Sequence, residues 1–441
     1  MNERDTLKIN TAGHLEIGGA DCVRLAEEFG TPLYVYDETH IRNMMRVYKN
    51  TLENEYSGKG LVLYASKAFC CSAIYKIAMQ EGIGIDVVSG GELYTALKAG
   101  FPVEKIYMHG NNKLSSELEL ALDNKIGTIV IDSFSEADKL DELAAERSII
   151  QNVLIRVNPG IEAHTHAFVQ TARTDSKFGF SIFDGTAEKI TKYVLAKKNL
   201  NLSGYHCHIG SQIFEEQSFV LGAEKVMDFI AQIKRQTGFE AETLNIGGGF
   251  GIWYTDEDPK LKLSDYSAYL KELIAAVKRK AKENSLKLPE LIIEPGRSVI
   301  GEAGITLYTV GAIKDIPNVK KYVAVDGGMF ENPRYALYQS KYTLLLANRA
   351  NEKCTEKVSV SGKCCESGDL IAVDVALPEA HVGDVMAVFS TGAYHYSMAS
   401  NYNRNFVPPA ILVNEGKADY IVKPQNYEDI IRNDVVPERL K

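Results

Sequence analysis

The chain has 441 residues, 45% of them hydrophobic and 24% charged, a composition typical of a globular protein too long for one ordinary core. The formal net charge of −9, without a basic run, argues against nucleic acid as a partner. Seven cysteines without paired spacing favour a reducing compartment, and there is neither an apolar leader nor a long apolar run, so we expect a cytoplasmic protein with no membrane partner.

The region from residue 61 to 296 alternates short β-rich runs with longer helical segments. Eight runs are predicted as strands: "LVLYAS", "GIDVVS", "IYMHG", "TIVIDS", "VLIRVNP", "GYHCHIG", "TLNIGGG" and "LIIEPG". This α/β rhythm predicts a parallel (β/α)8 TIM barrel, with a doubly wound open sheet as the competing fold. We favour the barrel because polar residues follow nearly every strand at its carboxyl end, where barrel active sites lie.

Two segments between these strands carry signals for helix ends. "CSAIYKIAMQEG" has helical spacing and closes at Gly82. "SGGELYTALKAG" begins at Ser89, has Glu92 three residues later and ends at Gly100, which predicts a capping box followed by a glycine stop.

The sequence on both sides of the barrel region predicts β structure. After residue 296, the runs "KYVAVDGGM", "KVSVSGK", "DLIAVDVAL", "DVMAVFS" and "PAILVNEGKADYIV" predict a C-terminal antiparallel β domain whose last run is a hairpin around Asn414, Glu415 and Gly416. The "KINTAGHLEIGG" hairpin near the start could join that domain in space. We therefore divide the chain into residues 1–36, a β segment, 37–296, the barrel, and 297–441, the β domain.

The first barrel strand runs directly into Lys67. An isolated lysine at such a place is most often paired with an acid or extended to water. At the mouth of a barrel, however, desolvation and neighbouring positive charge lower the pKa of a lysine and make its amine a nucleophile toward carbonyls. A Schiff-base lysine is therefore the sharper hypothesis.

The last two barrel strands end in groups suited to an anion and a ring nitrogen. "NIGGGFG" contains Gly248 and Gly249, whose N–H groups could approach a phosphate, although tight turns use the same residues. "IIEPGRS" contains Glu294, Gly296 and Arg297. A buried glutamate needs a partner, which could be a pyridinium N–H or Arg297 itself.

The sixth strand, "HCHIGSQ", places His206 and His208 on one face, with Ser211 after the turn. Such a pair could hold a metal with further ligands such as His164 and His166, or one imidazole could stack on a flat ring while the serine binds a phosphate. Because the last strand lacks the aspartate expected of metal-dependent hydrolases, we predict no metal. Asp86 and Arg156 fit either a cofactor's surroundings or an ion pair in the barrel core.

Taken together, the motifs "YASKAF", "HCHIGSQ", "NIGGGFG", "EPGR", "CCESGD" and "GAYHYS" resemble, in order, those of the fold-type III decarboxylases that depend on pyridoxal 5'-phosphate. The resemblance covers essentially the whole chain. It implies that Lys67 holds the cofactor, that His208 stacks on its ring, and that Glu294 pairs with its ring nitrogen. It implies further cofactor contacts from Ser211, Gly248, Gly249, Gly296, Arg297 and Tyr394, with support from Asp86 and Arg156.

Within this family the polar residues are most similar to the branch that converts meso-2,6-diaminopimelate to L-lysine and carbon dioxide, the last step of lysine biosynthesis. "CESGD" has Glu366 after Cys365, and "NPRYALY" supplies Arg334 and Tyr338. The distal amino-acid end of that substrate calls for an arginine and a carboxylate. The resemblance thus implies substrate contacts from Arg297, Arg334, Tyr338, Glu366 and Tyr394, and a proton from Cys365.

The resemblance also implies a homodimer in which the loop with Cys365 and Glu366 reaches the partner's active site. Residues 163–179 are a candidate loop over the substrate. Three other interpretations stay open: a related decarboxylase acting on another basic amino acid or polyamine-like substrate, a non-catalytic homologue, and a metal-dependent barrel hydrolase.

Overall fold

The computed structural model describes residues 6–161 and 176–441, which form two compact units. One unit contains residues 42–252 and 259–299, and the other contains the described chain up to Ile41, Trp253–Asp258 and Ile300–Lys441. The predicted domain boundaries stay a prediction, and the structure adds that residues 253–258 group with the β-rich unit, where Thr343 N–H donates to Tyr254 O at 3.0 Å. None of the described helices combines the length and apolar character needed to cross a bilayer.

The N-terminal segment forms the predicted hairpin, then a third short strand, a helix and a buried strand. Its elements, with the helix that follows them, are β1 (Leu7–Ile9), β2 (Leu15–Ile17), β3 (Ala20–Asp21), α1 (Cys22–Phe29), β4 (Leu33–Asp37) and α2 (Glu38–Glu55). β1–β3 are antiparallel. Asp21 begins α1, because its Oδ1 accepts a hydrogen bond from Val23 N–H at 2.8 Å.

The other unit contains the predicted barrel. Its parallel strands are β5 (Gly60–Ala65), β6 (Gly84–Val87), β7 (Ile106–Met108), β8 (Thr128–Ile131), β9 (Gln151–Asn158), β10 (Phe180–Ser181), β11 (Leu200–His206), β12 (Thr243–Asn245) and β13 (Glu290–Ile293). Eight of them close a ring in the order β5-β6-β7-β8-β9-β11-β12-β13, and β10 pairs with the end of β9 outside it. All eight predicted strands are therefore present, and the barrel is confirmed over the open sheet.

Helices connect successive barrel strands, because parallel neighbours require a crossover connection. They are α3 (Ser72–Glu81), α4 (Gly90–Lys98), α5 (Ser115–Asp123), α6 (Phe134–Glu146), α7 (Thr186–Leu195), α8 (Glu216–Thr237), α9 (Leu263–Glu283) and the short α10 (Arg297–Ile300). The predicted stop at Gly82 is confirmed, because this residue is left-handed (φ 74°) and its N–H donates to Ala78 and Met79 carbonyls.

The predicted capping box at Ser89 is half correct. Ser89 is the N-cap of α4, and its hydroxyl accepts a hydrogen bond from Glu92 N–H at 3.3 Å. The Glu92 carboxylate, however, accepts from Val88 N–H at 2.8 Å, one residue before the cap. The glutamate thus ties the helix start to the end of β6 rather than closing the box.

The C-terminal elements build a larger sheet that includes β4. They are β14 (Gly304–Ile316), β15 (Lys320–Val325), β16 (Leu344–Leu346), β17 (Glu356–Ser361), β18 (Leu370–Leu377), β19 (Val385–Val388), β20 (Ala410–Asn414) and β21 (Lys417–Val422), with helices α11 (Arg334–Tyr338) and α12 (Tyr427–Ile431). The main order is β18-β17-β15-β14-β4-β20-β21. The N-terminal segment therefore joins this domain as expected. Two pairings, β15–β17 and β4–β20, are parallel, so the predicted antiparallel sheet is mixed.

Glu331 is a fully buried acid in the β-rich unit. Its Oε1 accepts hydrogen bonds from the Tyr308 hydroxyl at 2.7 Å and from Gly328 N–H at 3.1 Å. Its Oε2 is buried and has no hydrogen-bond partner among the described residues. Burial raises the pKa of Glu331 to about 8, from 4.5 for a free side chain.

This raised pKa predicts a stability that falls with rising pH. Between pH 4.5 and 8 the folded chain keeps the Glu331 proton and the unfolded chain releases it, so the stabilisation is complete below the lower value and is lost toward the upper one. We expect a slope approaching about −1.4 kcal/mol per pH unit from this residue. Glu331→Gln should flatten the pH dependence of chemical denaturation in that window, whereas exposed Glu27→Gln should leave it unchanged. Equal slopes for wild type and Glu331→Gln would contradict this assignment.

Candidate active site

Glu294 follows β13 and lies buried where several barrel strands end. Its Oε1 is 2.8 Å from His109 Nε2 and accepts a hydrogen bond from Asn245 Nδ2 at 2.7 Å. Its Oε2 is 3.1 Å from His206 Nε2. The four residues are all buried and come from the ends of four strands, β7, β11, β12 and β13. The buried glutamate predicted from sequence therefore has partners, but they are not Arg297.

The surroundings of Glu294 favour an ionised carboxylate. Burial alone would raise its pKa, but His109 and His206 outweigh burial and hold the pKa well below the usual range. Burial lowers the pKa of His206 to about 3 and also lowers that of His109. Both imidazoles are therefore neutral at pH 7. His206 donates Nε2–H to the carboxylate, whereas His109 Nε2 lies close to Oε1 without the angle of a hydrogen bond. Since a carboxylate accepts about four hydrogen bonds, one position is left for a further donor.

Asp86 and Arg156 are buried within the electrostatic reach of Glu294. Burial, then the charge of Glu294, raises the pKa of Asp86 well above its usual range, so this carboxyl group keeps its proton. Burial lowers the pKa of Arg156, whose guanidinium carbon lies 4.4 Å from the ring centre of Phe178. Their predicted role beside a cofactor ring stays a prediction.

Two further contacts lie at the carboxyl ends of the same strands. One joins Arg297 to Ser211, and the other joins Gly248 to His208. Ser211 Oγ accepts hydrogen bonds from Arg297 Nη2 at 2.9 Å and Nε at 3.3 Å. His208 Nδ1 accepts from Gly248 N–H at 3.3 Å. Burial lowers the pKa of His208 well below its usual range, which leaves a neutral, flat ring. A hydroxyl, a guanidinium and glycine N–H groups are suitable ligands for a phosphate.

Two of the predicted glycines are also required by packing. A Cβ on Gly248 would lie 2.1 Å from the carbonyl oxygen of Glu294, and one on Gly296 would lie 2.8 Å from Ala65 Cβ. These contacts bring the ends of β12, β13 and β5 together more closely than a side chain permits. Close packing of the strand ends therefore explains these glycines, Gly249 included, in addition to the predicted approach of their N–H groups to a phosphate.

Lys67 is exposed at the carboxyl end of β5, in a single 3-10 turn over Ser66–Ala68. Ser66 and Ala68 on either side are buried, so the turn is held in place while the lysine side chain stays accessible. The charge of Lys67 contributes to the lowered pKa of His208 and opposes the rise in the pKa of Asp86. The lysine therefore lies within reach of the same group of strand ends.

In the β-rich unit, the predicted substrate residues Arg334, Tyr338 and Tyr394 lie together. The buried Arg334 has its guanidinium carbon 5.2 Å from the ring centre of Tyr338 and 5.6 Å from that of Tyr394. Arg334 Nε also donates to the Tyr342 hydroxyl at 3.1 Å. Two aromatic faces and one hydroxyl orient the guanidinium as needed for binding a carboxylate.

Cys365 and Glu366 lie in an exposed turn of the same unit. The carboxylate of Asp369 closes this turn, because Oδ2 accepts from Cys364 N–H at 2.6 Å and Oδ1 accepts from Met329 N–H at 2.6 Å. Cys365 N–H donates to Asn403 Oδ1 at 2.9 Å. The backbone is thus held while both predicted functional side chains face solvent.

Sequence reasoning missed His109, Asn245, Tyr342 and Asp369. His109 directly follows β7, and its position at a strand end was the signal that could have identified it. The ligand atoms of His109, His206 and Glu294 lie within 4.8 Å of one another, a set that could hold a metal ion. The metal alternative predicted from sequence used His206 and His208, with His164 and His166 as further ligands. His164 and His166 lie outside the described residues, as does most of the predicted loop 163–179.

Comparison with known proteins places these features in context. The profile of the family described as "Pyridoxal-dependent decarboxylase, pyridoxal binding domain" matches residues 38–301. The chain is 52% identical to diaminopimelate decarboxylase of Bacillus methanolicus, over 95% of this chain and 96% of the relative. It is 49% identical to the enzyme of the same name from Bacillus subtilis (strain 168), over 98% and 97%. A crystal structure of diaminopimelate decarboxylase from M. jannaschii in complex with L-lysine superposes with a TM-score of 0.91 at 37% identity, covering 100% of both chains.

Proposed function

Because the chain belongs to the diaminopimelate decarboxylases, within the pyridoxal-dependent decarboxylase family, we propose that it removes carbon dioxide from meso-2,6-diaminopimelate and releases L-lysine. It is a pyridoxal-phosphate-dependent carboxy-lyase of lysine biosynthesis. The observation that carries the proposal is near full-length identity of about half the residues to relatives with this activity in their names. The lysine complex of the M. jannaschii structure is consistent with the product.

The residues of the barrel unit fit pyridoxal phosphate. Glu294 is held as a carboxylate with one acceptor position left for a ring N–H. Lys67 supplies an exposed amine, and the Ser211–Arg297 contact next to the glycine loop suits the phosphate. When bound, the cofactor supplies an electron sink for the pair left on carbon as carbon dioxide departs.

Each residue then has a defined task. Lys67 would hold the cofactor through its Nζ amine. Glu294 would pair with the ring nitrogen and favour its protonated form, and the neutral imidazole of His208 would lie against the ring. Cys365 Sγ returns a proton to the carbon that lost carbon dioxide.

Arg334, with Tyr338 and Tyr394, binds the distal carboxylate of the substrate. Glu366 binds the distal ammonium. Arg297, Asp86, Arg156 and the glycines Gly248, Gly249 and Gly296 complete the proposed cofactor and substrate contacts.

We further propose a cytoplasmic homodimer with shared active sites. The exposed turn of Cys365 and Glu366 supports this, since both residues are accessible to a second chain at the surface of the unit that holds their backbone. A related decarboxylase with a plain diamine substrate end is disfavoured, because the buried Arg334 would repel it.

The first experiment joins a spectrum to an assay. The protein is purified with pyridoxal phosphate, its visible absorption is recorded, and meso-diaminopimelate, ornithine and arginine are supplied in parallel while carbon dioxide and lysine are measured. We expect a cofactor band, and carbon dioxide with lysine from diaminopimelate alone. A band with release from ornithine or arginine instead would move the function to the related decarboxylases. Protein-bound zinc without a band would favour the metal site at His109, His206 and Glu294.

A further inference from the structure

Glu294 is held by three side chains that the predicted mechanism does not use. We propose that His109, His206 and Asn245 are positioning residues for the decarboxylation, because they fix the Glu294 carboxylate in the orientation that leaves one acceptor position for the ring nitrogen of the cofactor. This inference rests on the proposed function, and it extends that function to residues whose effect is exerted through Glu294.

The geometry restrains the carboxylate from both of its oxygens. His109 and Asn245 contact Oε1 at 2.8 and 2.7 Å, and His206 contacts Oε2 at 3.1 Å. The two imidazole rings lie 4.6 Å apart between centroids and are tilted by 57°, so each limits the rotation of the other. With donors on both sides, the plane of the carboxylate is determined.

The Asn245 amide is itself fixed in orientation. Its Oδ1 accepts a hydrogen bond from Gly247 N–H at 2.8 Å, which leaves Nδ2 to donate to Glu294. Asn245 is fully buried, so a rotated amide would leave both groups without these partners. This residue therefore couples the position of Glu294 to the start of the glycine loop.

His109 is fixed by the turn that follows it. The buried Lys113 donates to Gly110 O at 2.8 Å and to Val130 O at 2.6 Å, and it pairs with Glu136 at 2.6 Å. These contacts join the turn after β7 to the end of β8. The imidazole is therefore placed by the backbone as well as by its contact with Glu294.

The charges around Glu294 make these neutral donors necessary. The titratable groups that interact electrostatically with it are Asp86, Tyr107, His109, Arg156, His206, Cys207 and His208. Lys67 in turn acts on Asp86 and His208. A buried carboxylate without hydrogen bonds takes up a proton. A protonated Glu294 would no longer favour a proton on the ring nitrogen, and the cofactor would become a weaker electron sink.

The test compares His109→Leu, which removes the polar contact with Glu294, with His109→Gln, which keeps a neutral polar side chain there. Exposed His381→Leu is the control. We expect His109→Leu to lower kcat about ten- to hundredfold with little change in KM, the loss typical of outer partners that orient a ligand. We also expect it to shift the pH dependence of the cofactor's visible band. His109→Gln should recover most of both, and Asn245→Leu should resemble His109→Leu.

The band titration separates this proposal from the function itself. If the wild type binds the cofactor but does not act on diaminopimelate, the proposed function fails. The pH dependence of the visible band, compared between wild type and His109→Leu, still tests the role of His109. An unchanged band profile and kcat in both His109→Leu and Asn245→Leu would overturn the proposal. A lower melting temperature with an unchanged band and kcat would also overturn it, since that result indicates a purely structural role.

Discussion

Replacing Lys67 by alanine should lower the rate of carbon dioxide release from meso-diaminopimelate by about a thousandfold or more, the scale expected when a covalent catalytic group is removed. The exposed lysine lies in a 3-10 turn between two buried residues. In the proposed function it supplies the amine that holds the cofactor. Its loss should also abolish or weaken the visible absorption band of the purified protein. Fold and stability should change little, because an exposed side chain contributes little packing.

Two variants control this result. Lys67→Arg keeps the positive charge but not the nucleophilic amine, and it should be as inactive as alanine. Lys76→Ala removes an exposed lysine from α3 and should keep both rate and band. A Lys67→Ala protein with the wild-type rate would remove Lys67 from the mechanism.

Replacing Cys365 by alanine should lower turnover by about 10²- to 10⁴-fold, the contribution of a positioned general acid. The cofactor band should persist, because Lys67 and Glu294 belong to the other unit. The neighbouring cysteine is the matched control, since burial raises the pKa of the Cys364 thiol to about 11. Cys364→Ala should stay close to wild type in a steady-state assay with diaminopimelate. The opposite pattern for the two cysteines would transfer the role to Cys364.

The same two variants test whether active sites are shared between subunits. Consider a dimer of one Lys67→Ala chain and one Cys365→Ala chain. If sites are shared, one of its two sites receives an intact lysine from one chain and an intact cysteine from the other. Random mixing should then restore about a quarter of wild-type activity, because half of the dimers carry one intact site of two. No recovery after denaturation and joint refolding would place both residues of a site in one subunit.

Local patterns in the sequence were sufficient to predict the barrel. They were not sufficient to predict which side chains contact the candidate site residues. Strand runs, Ser89 and Gly82 depend on residues close in sequence, and the structure contains the elements they predict. β14 was missed, because Gly311 interrupts the run and Lys314 and Asp315 follow in its exposed half. Glu294 was recognised as an unusual residue in an apolar strand, whereas its contact with His109 joins strands far apart in sequence. Pairings of this kind depend on tertiary packing.

The pairing of β4 has a consequence for the order in which the protein can fold during synthesis. This fully buried strand lies between β14 and β20, so both of its edges depend on segments translated much later. The barrel strands between Gly60 and Ile293 are contiguous and can close first. At roughly 5–20 residues per second, the ribosome needs tens of seconds to reach β20. During that time β4 is an apolar strand with unpaired edges, so a chain truncated before Ala410 would be prone to aggregate through it.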